Sequence, residues 1–471
     1  MARSIEEKLH LPVGWMDKIH EDKLPIPSRQ EEDTTDPIPL SEIQKITSIP
    51  VFIQPEKDLS GNCNPKLKGE IQLPNMMIDQ FSEGGEHNLQ GYIPTEAAMF
   101  KTLPLGSIVL VDTKVKKYIG DGLYFLRING FYKFRKITQL INGNYEIESD
   151  VKKEIAENVD LFSSYPDRDY VSLRNTISEY CRIPAEFILP GNGSSELISL
   201  LIQERAPKHT LILGPTYSEY SRELSFSGST QEYYHLREER NFTLDVEDLC
   251  KTVENGYVFL ILCNPNNPTS SAIMQEDLRK LIAFCADKDI FVMIDETYVE
   301  FAPDVEEITA IPLTREFTNL MVLRGVSKFY AAPGMRLGYG ITGNMEFLSK
   351  MREKQTPWSL NSLGAFAGEL MLRDHDYIQE TRDLILDERD RMEQELQNIP
   401  TFKVYPAYAN FILLKIRRDG LTSADVFEAC IKKGLMIRDC SSFQCLDGEF
   451  VRFCIMMHDD NTKLLNVLKQ L

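Results

Sequence analysis

Tyr257-Val-Phe-Leu-Ile-Leu-Cys263 and, after a helical interval over 276–287, Ile290-Phe-Val-Met-Ile-Asp295 decide the fold class. Both are continuous apolar runs. A strand with one wet face alternates apolar and polar residues; a strand buried on both faces does not. The same pattern precedes them in Thr210-Leu-Ile-Leu-Gly214 and follows in Leu320-Met-Val-Leu-Arg324. Apolar strands alternating with amphipathic helices predict an α/β fold, a mostly parallel sheet covered on both faces. Helical periodicity returns over 379–397. Strand-like Asn410-Phe-Ile-Leu-Leu-Lys415 and Phe450-Val-Arg-Phe-Cys-Ile455 predict a smaller α+β tail.

Ahead of this region the rhythm differs. Residues 1–60 are polar and proline-rich, with one short helical stretch near 5–9, and read as a linker. Gly106-Ser-Ile-Val-Leu-Val-Asp112 and Leu123-Tyr-Phe-Leu-Arg-Ile128 are short and β-branched, separated by the turn signals Gly120-Asp-Gly122 and Asn129-Gly130. They predict a small β-rich module over 61–150. The remaining 151–471 form the expected main domain, with a large part over about 160–370 and a small part over about 371–471.

The 471 residues are 42% apolar and 26% charged, ordinary for a globular protein. No apolar run is long enough to span a bilayer, so no membrane partner is expected. The nine cysteines show no zinc spacing, so no metal site is expected, and free thiols fit a reducing cytoplasm. The net charge of −19 argues against nucleic acid as a partner.

Ligands of such sheets collect beyond the carboxyl ends of the strands. Four polar clusters fall there. Gly191-Asn-Gly-Ser-Ser-Glu196 leads into an apolar helix over 197–201. Small residues before a helix start gather backbone N–H groups and suit a phosphate; alone, the loop reads equally well as an ordinary N-cap. Asn264-Pro-Asn-Asn-Pro-Thr269 holds amides in a loop stiffened by two prolines. Asp295 closes an apolar run, where a carboxylate is costly unless something cationic, such as a pyridinium nitrogen, meets it. Tyr298 lies three residues on. Lys328 follows the next strand in Val326-Ser-Lys-Phe-Tyr-Ala-Ala-Pro-Gly-Met-Arg-Leu-Gly-Tyr339, with Ser327 before it and Arg336 beyond. A lysine in a cationic or desolvated setting loses its proton and forms a Schiff base. Each cluster alone has an ordinary structural explanation; the ordered set does not.

On these motifs, residues from about 160 to 471 resemble the class I and II aminotransferases of pyridoxal-phosphate (PLP) fold type I. The similarity is to the branch containing histidinol-phosphate aminotransferase and threonine-phosphate decarboxylase. The resemblance implies PLP as cofactor, and Lys328, Asp295 and Tyr298 as catalytic residues. Lys328 would hold the cofactor through a Schiff base and move the Cα proton. Asp295 would pair with the pyridinium nitrogen, and Asn267 and Tyr298 would hydrogen-bond the phenolic oxygen. Tyr217, in Gly214-Pro-Thr-Tyr217, would stack on the ring. Gly193, Ser194, Ser195, Ser327 and Arg336 would bind the cofactor phosphate. Tyr165, in Ser164-Tyr-Pro-Asp167, would reach the phosphate of the neighbouring subunit, which implies a homodimer.

On the substrate side, Arg452 would clamp the carboxylate. Pro357-Trp-Ser-Leu-Asn361 and Ile437-Arg-Asp-Cys-Ser-Ser-Phe443 resemble the threonine-phosphate decarboxylase side of the branch. They add Asn361 as a substrate contact and Arg438 for a second anionic group. The expected activity is transfer of the amino group of a small amino acid, bearing phosphate or phosphonate, to a keto-acid acceptor. Decarboxylation of the threonine-phosphate decarboxylase type and a PLP-binding regulator without turnover are the alternatives. The family opens its catalytic domain with an arm containing an Asn-x-Asn-Glu-Asn-Pro-like stretch; Ile141-Asn-Gly-Asn-Tyr-Glu-Ile-Glu-Ser-Asp150 carries no such motif.

Residues 2–26 are similar to the tail of a phage-repressor helix-turn-helix domain, too short for a recognition helix. Residues 95–150 are similar to the β-rich self-cleaving domain of those repressors. That domain needs a serine just before a methionine and a lysine on a later strand. Here Ala97-Ala98 precede Met99, and the lysine slot falls on Arg135, with Lys136 adjacent. Without a nucleophile no protease activity is expected. The expected role of the module is to dimerise or dock a partner.

Overall fold

The computed structural model describes residues 46–53, 66–74, 78, 88–94, 107–120, 122–128, 131–139, 145–147 and 150–471. The helix-turn-helix resemblance over 2–26, the helical stretch near 5–9 and Ala97-Ala98-Met99 lie outside them. Strands β1 (Ile46–Ile53), β2 (Lys66–Pro74), β3 (Leu89–Ile93) and β4 (Val109–Asp112) form one sheet, in the order β2-β1-β3-β4. In β1, Ile49 and Val51 are buried while Ser48 is exposed, the two-residue alternation of a sheet with one dry face. Ile49, Ile78 and Leu89 form its core, backed by Ile71, Leu73 and Leu110. β1 lies inside the stretch that reads as linker. Pro50, with no N–H to give a ladder, disguises it.

A second compact unit contains everything from Lys117 to Leu471. It begins with β5 (Gly122–Ile128), β6 (Phe131–Gln139) and β7 (Tyr145–Ile147), an antiparallel sheet. Ile128 pairs with Phe131 across the expected Asn129-Gly130 turn, which itself lies outside the described residues. β5–β7 fall in the same compact unit as the main sheet, whereas β2 and β3 fall in the other.

The main sheet comprises β8 (Ile188–Asn192), β9 (His209–Gly214), β10 (Thr230–His235), β11 (Phe259–Cys263), β12 (Phe291–Asp295), β13 (Leu320–Gly325) and β14 (Leu337–Ile341). Their order is β10-β9-β11-β12-β13-β14-β8, and only β14 runs antiparallel to its neighbours. Every residue of β11 and β12 is buried, as their unbroken apolar runs require. Alternate residues feed two cores. Leu260, Leu262, Val292 and Ile294 join one; Phe259, Ile261, Phe291 and Met293 join the other.

Helices cover both faces. From α1 (Asp150–Glu157) the chain runs to α2 (Val171–Cys181), α3 (Gly193–Arg205), α4 (Glu219–Ser227), α5 (Val246–Val253), α6 (Gln275–Ala286) and α7 (Met345–Lys354). Leu197 and Leu201 of α3, Leu224 of α4 and Met351 of α7 enter one core, while Leu173 of α2, Leu249 of α5 and Leu281 of α6 enter the other. Each such side chain contributes roughly 1.5–3 kcal/mol of burial.

After α8 (Ser362–Arg373) and α9 (His375–Gln397), the expected α+β tail forms an antiparallel sheet of β15 (Phe402–Val404), β16 (Phe411–Ile416), β17 (Arg438–Asp439) and β18 (Phe450–Cys454). Its order is β15-β16-β18-β17, with α10 (Ser423–Ile431) and α11 (His458–Leu468) beside it.

Glu238, just past β10, fastens this tail sheet to the main one. It accepts from Lys403 Nζ (3.1 Å), Tyr405 Oη (2.8 Å) and Lys415 Nζ (2.5 Å). Burial pulls the Glu238 carboxyl up, but these hydrogen bonds overcome it and bring the pKa from the ordinary 4.5 down to about 2. A depressed carboxyl stabilises the fold above its unfolded pKa and stops doing so as pH falls through the folded one. Glu238→Gln should therefore lower stability by on the order of 1 kcal/mol at pH 7, allowing for its partial exposure. In thermal melts, the difference from wild type should shrink steadily below pH 4.5.

Candidate active site

Strands β8, β9, β11, β12 and β13 are mutually aligned, so their carboxyl ends share one edge. Antiparallel β14 starts at that edge, which brings Arg336, the residue before it, to the same place. β8 runs directly into α3 at Gly193, whose φ is +79°. A Cβ on Gly193 would lie 2.5 Å from Arg336 Nη2, so only glycine lets this guanidinium reach the helix start. Arg336 has φ +54° and donates from Nη1 to Pro333 O (3.3 Å). Among the described residues no carboxylate pairs with it. Gly338 of β14 seats the same turn, since a Cβ there would strike Ser194 N at 2.3 Å. Free N–H groups of the first turn, with Ser194 and Ser195 on it and an unpaired arginine beside it, make a cup for a phosphate. Glu196 is turned aside onto Asn192 N (2.6 Å), with Ser359 Oγ also donating to it (3.1 Å).

At the end of β12, Asp295 is 4% exposed. Its Oδ1 accepts from Thr297 N (2.9 Å) and Thr297 Oγ1 (2.5 Å), and its Oδ2 from Tyr220 Oη (2.7 Å). Burial, then the charge of Asp295, push the Tyr220 hydroxyl well above its usual range, so it remains a donor. No cation among the described residues pairs with this carboxylate.

The three asparagines of the loop after β11 divide their work. Asn264 Nδ2 donates to Ile273 O (3.0 Å) and Ile308 O (2.8 Å). Asn266 Nδ2 donates to Pro215 O (2.8 Å) and Thr269 Oγ1 (2.8 Å). These fix the loop. Asn267 turns outward, and its Oδ1 accepts from Arg452 Nη1.

Asn267 and Arg452 line a cleft of about 330 Å³ with Tyr217, Arg438, Ser442 and Phe443. Arg452 lies over the Phe411 ring at 4.7 Å, and its buried Nε has no hydrogen-bond partner. Arg438 stands directly opposite Arg452 across β17 and β18, and donates to Ser442 Oγ (2.9 Å). Tyr298 meets the Phe411 ring edge-on at 5.0 Å. Burial raises its hydroxyl, with nearby Arg452 pulling the other way. Lys328 is exposed at the end of the β13 loop, and its amine has no hydrogen bond or ion pair among the described residues.

Two expected residues stand elsewhere. Tyr165 is 81% exposed, with its ring 4.8 Å from Trp358, and does not line the cleft of its own chain. Asn361 caps α8: its Oδ1 accepts from Gly364 N (2.7 Å) and its Nδ2 donates to Met335 O (3.3 Å), so both ends of the amide are committed. A larger cleft of about 610 Å³, lined by Arg168, Arg174, Arg352 and Trp358, contains none of the strand-end residues. Tyr220 and Thr297 escaped the sequence reading. The one signal for Tyr220 was its place three residues after Tyr217.

These features fit PLP from three sides. An unpaired arginine at a helix start suits its phosphate, a dry carboxylate without a cation suits its pyridinium, and an unpaired amine suits its aldehyde. The model of the family described as "Aminotransferase class I and II" matches residues 135–468. The threonine-phosphate decarboxylase of Salmonella typhimurium (strain LT2) is 33% identical over 319 residues, covering 68% of this chain and 86% of that protein. The histidinol-phosphate aminotransferase of Thermoanaerobacter sp. (strain X514) is 34% identical over 333 residues, covering 69% and 90%. The crystal structure of the histidinol-phosphate aminotransferase from Clostridium acetobutylicum matches with a TM-score of 0.64 at 32% identity, over 68% of this chain and 94% of that one. The chain belongs to the class I and II aminotransferase family, the PLP-dependent enzymes of histidinol-phosphate aminotransferase and threonine-phosphate decarboxylase type.

Proposed function

We propose that the chain is an aminotransferase that passes the amino group of a small amino acid, bearing phosphate or phosphonate, to a keto acid. One observation carries the substrate class. Arg438 and Arg452 face one cleft, in register on adjacent strands, and neither has an acidic partner among the described residues. Two guanidinium groups so placed call for a ligand with two anionic groups, a carboxylate on Arg452 and a phosphate on Arg438.

Bound PLP supplies the electron sink that loosens the bonds to the substrate's Cα. Ser194, Ser195, Ser327 and Arg336 would grip its phosphate, with Gly193 making the room. Asp295 would hold the proton on the ring nitrogen, Tyr217 would stack on the ring, and Asn267 and Tyr298 would donate to the phenolic oxygen. Lys328 Nζ would anchor the cofactor and would carry the Cα proton. Tyr165 joins the phosphate site of a second copy in a homodimer, and the exposed apolar side chains of Phe162 and Val171 near it fit that contact. No helix among the described residues is long and apolar enough to cross a membrane. Eight free cysteines are described, and we place the reaction in the cytoplasm. The β-rich segments within 61–150 would dimerise or dock a partner, without a protease role.

Decarboxylation is the second reading, favoured by the relative in Salmonella typhimurium. There the bond to the carboxylate on Arg452, and not the Cα–H bond, would stand perpendicular to the ring.

The protein with PLP should show a visible absorbance band that Lys328→Ala abolishes. With O-phosphothreonine, histidinol phosphate and phosphonate analogues as probes, release of an oxo product supports transamination. Release of CO2 supports decarboxylation, and neither product from any probe would leave only a PLP-binding regulator. Arg438→Ala should raise KM for the phosphorylated amino acid about 10–100-fold, the worth of a charged hydrogen bond, and leave alanine little affected. Arg452→Ala should weaken every substrate that has a carboxylate. Tyr220→Phe strips a donor from a dry carboxylate and should weaken PLP binding about tenfold in a cofactor titration; an unchanged affinity would remove Tyr220 from the site.

A further inference from the structure

Behind the site, on the buried side of β12 and β13, lies an ion-pair cluster that touches neither cleft nor cofactor cup. Glu296 is completely buried and Arg324 is 4% exposed. Glu296 Oε2 accepts from Arg324 Nε (3.0 Å), Arg324 Nη2 (2.8 Å) and Thr309 Oγ1 (2.9 Å). Its Oε1 accepts from Ala310 N (2.5 Å). Arg324 Nη2 also donates to Thr309 Oγ1 (2.8 Å), and Nη1 faces Glu300 Oε1 at 3.5 Å.

A buried pair of this kind adds little net stability over apolar side chains of the same volume. Its location gives it another use. Glu296 follows Asp295 in the chain, and its N–H donates to Leu323 O (2.8 Å), which welds the end of β12 to β13. Arg324 is the next residue of β13, four before Lys328. The chain between them is held at Gly325, paired with Gly338, and at Val326, whose N–H donates to Leu337 O (3.2 Å). Thr297 and Tyr298 continue from Glu296, and Glu300 closes the same turn. One cluster therefore holds the roots of Asp295, Tyr298 and Lys328.

We infer that Glu296 and Arg324 are positioning residues, a buried ion pair that sets the distance between Asp295 and Lys328 and so the pose of the cofactor between them. This rests on the cofactor roles proposed above for those two residues. A displacement of about 1 Å at such groups costs on the order of a hundredfold in rate.

The test compares wild type, Glu296→Gln and Arg324→Lys as holoenzymes. The readouts are visible circular dichroism per bound PLP, which reports how asymmetrically the site holds the ring, and melting temperature. Glu296→Gln should bind PLP yet lose most of the visible dichroism; Arg324→Lys, which keeps the charge but not the fork, should lose part of it. With a turned-over substrate, kcat should fall about a hundredfold and KM little. If Glu296→Gln does not fold, Arg324→Lys carries the test. Unchanged dichroism per bound PLP with a lowered melting temperature would reduce the pair to a core staple and overturn the inference. The dichroism needs bound cofactor and no turnover, so a wild type that binds PLP but converts no probe would defeat the proposed reaction alone. Lost dichroism in the variants would still uphold the positioning role.

Discussion

The dryness of the central strands governs the rest of the molecule. β11, β12 and the adjoining strands are buried on both faces, so they have no room for a polar side chain without a partner. Polar chemistry is driven to where the strands stop, and because six of the seven strands run the same way, those stops share one edge. Asp295, the asparagine loop, the Gly193 turn and Lys328 are neighbours for that reason. The single antiparallel strand, β14, completes the arrangement by starting where the others finish, which delivers Arg336 to the helix start.

What the sequence disclosed follows the same line. A run of apolar residues ending in Asp, Asn or Lys can be read locally, because cause and signal lie within a few positions. The sheet, the α+β tail and the strand-end residues were legible on that basis. Contacts made across the fold were not. Tyr220 reaches Asp295 over 75 residues, and Arg324 reaches Glu296 over 28. Neither tyrosine nor arginine announces its partner. Asn361 sits in a motif that suggested substrate, yet its amide is consumed by a helix start, a use that any asparagine before a helix can have. β1 was hidden by Pro50.

The arginines separate structure from chemistry in a way composition cannot. In a chain of net charge −19, acidic partners are plentiful. Arg389, 2% exposed, gives its Nη1 to the carbonyls of Phe301 and Ala409, and Arg382 binds the carbonyls of Glu300, Ala302 and Pro303. Arg324 is saturated by Glu296 and Thr309. Arg389 and Arg382 hold the fold, and Arg324 anchors the ends of β12 and β13. Arg336, Arg438 and Arg452 have no acid among the described residues, and each stands at the strand-end edge or in the cleft beside it. Arg336 and Arg438 are solvent-exposed and Arg452 is half-buried, so their guanidinium groups remain open to an anionic ligand.

This division also bears on how one frame serves two reactions within a family. The residues that would hold the cofactor come from the main sheet, and the two arginines that would hold a bis-anionic substrate come from β17 and β18 of the tail sheet. Glu238, gripped by Lys403, Tyr405 and Lys415, ties the tail sheet to the main one and so sets the two groups of residues against each other. Relatives of both kinds match the chain over about the same length, so the strand-end motifs alone do not separate an aminotransferase from a decarboxylase.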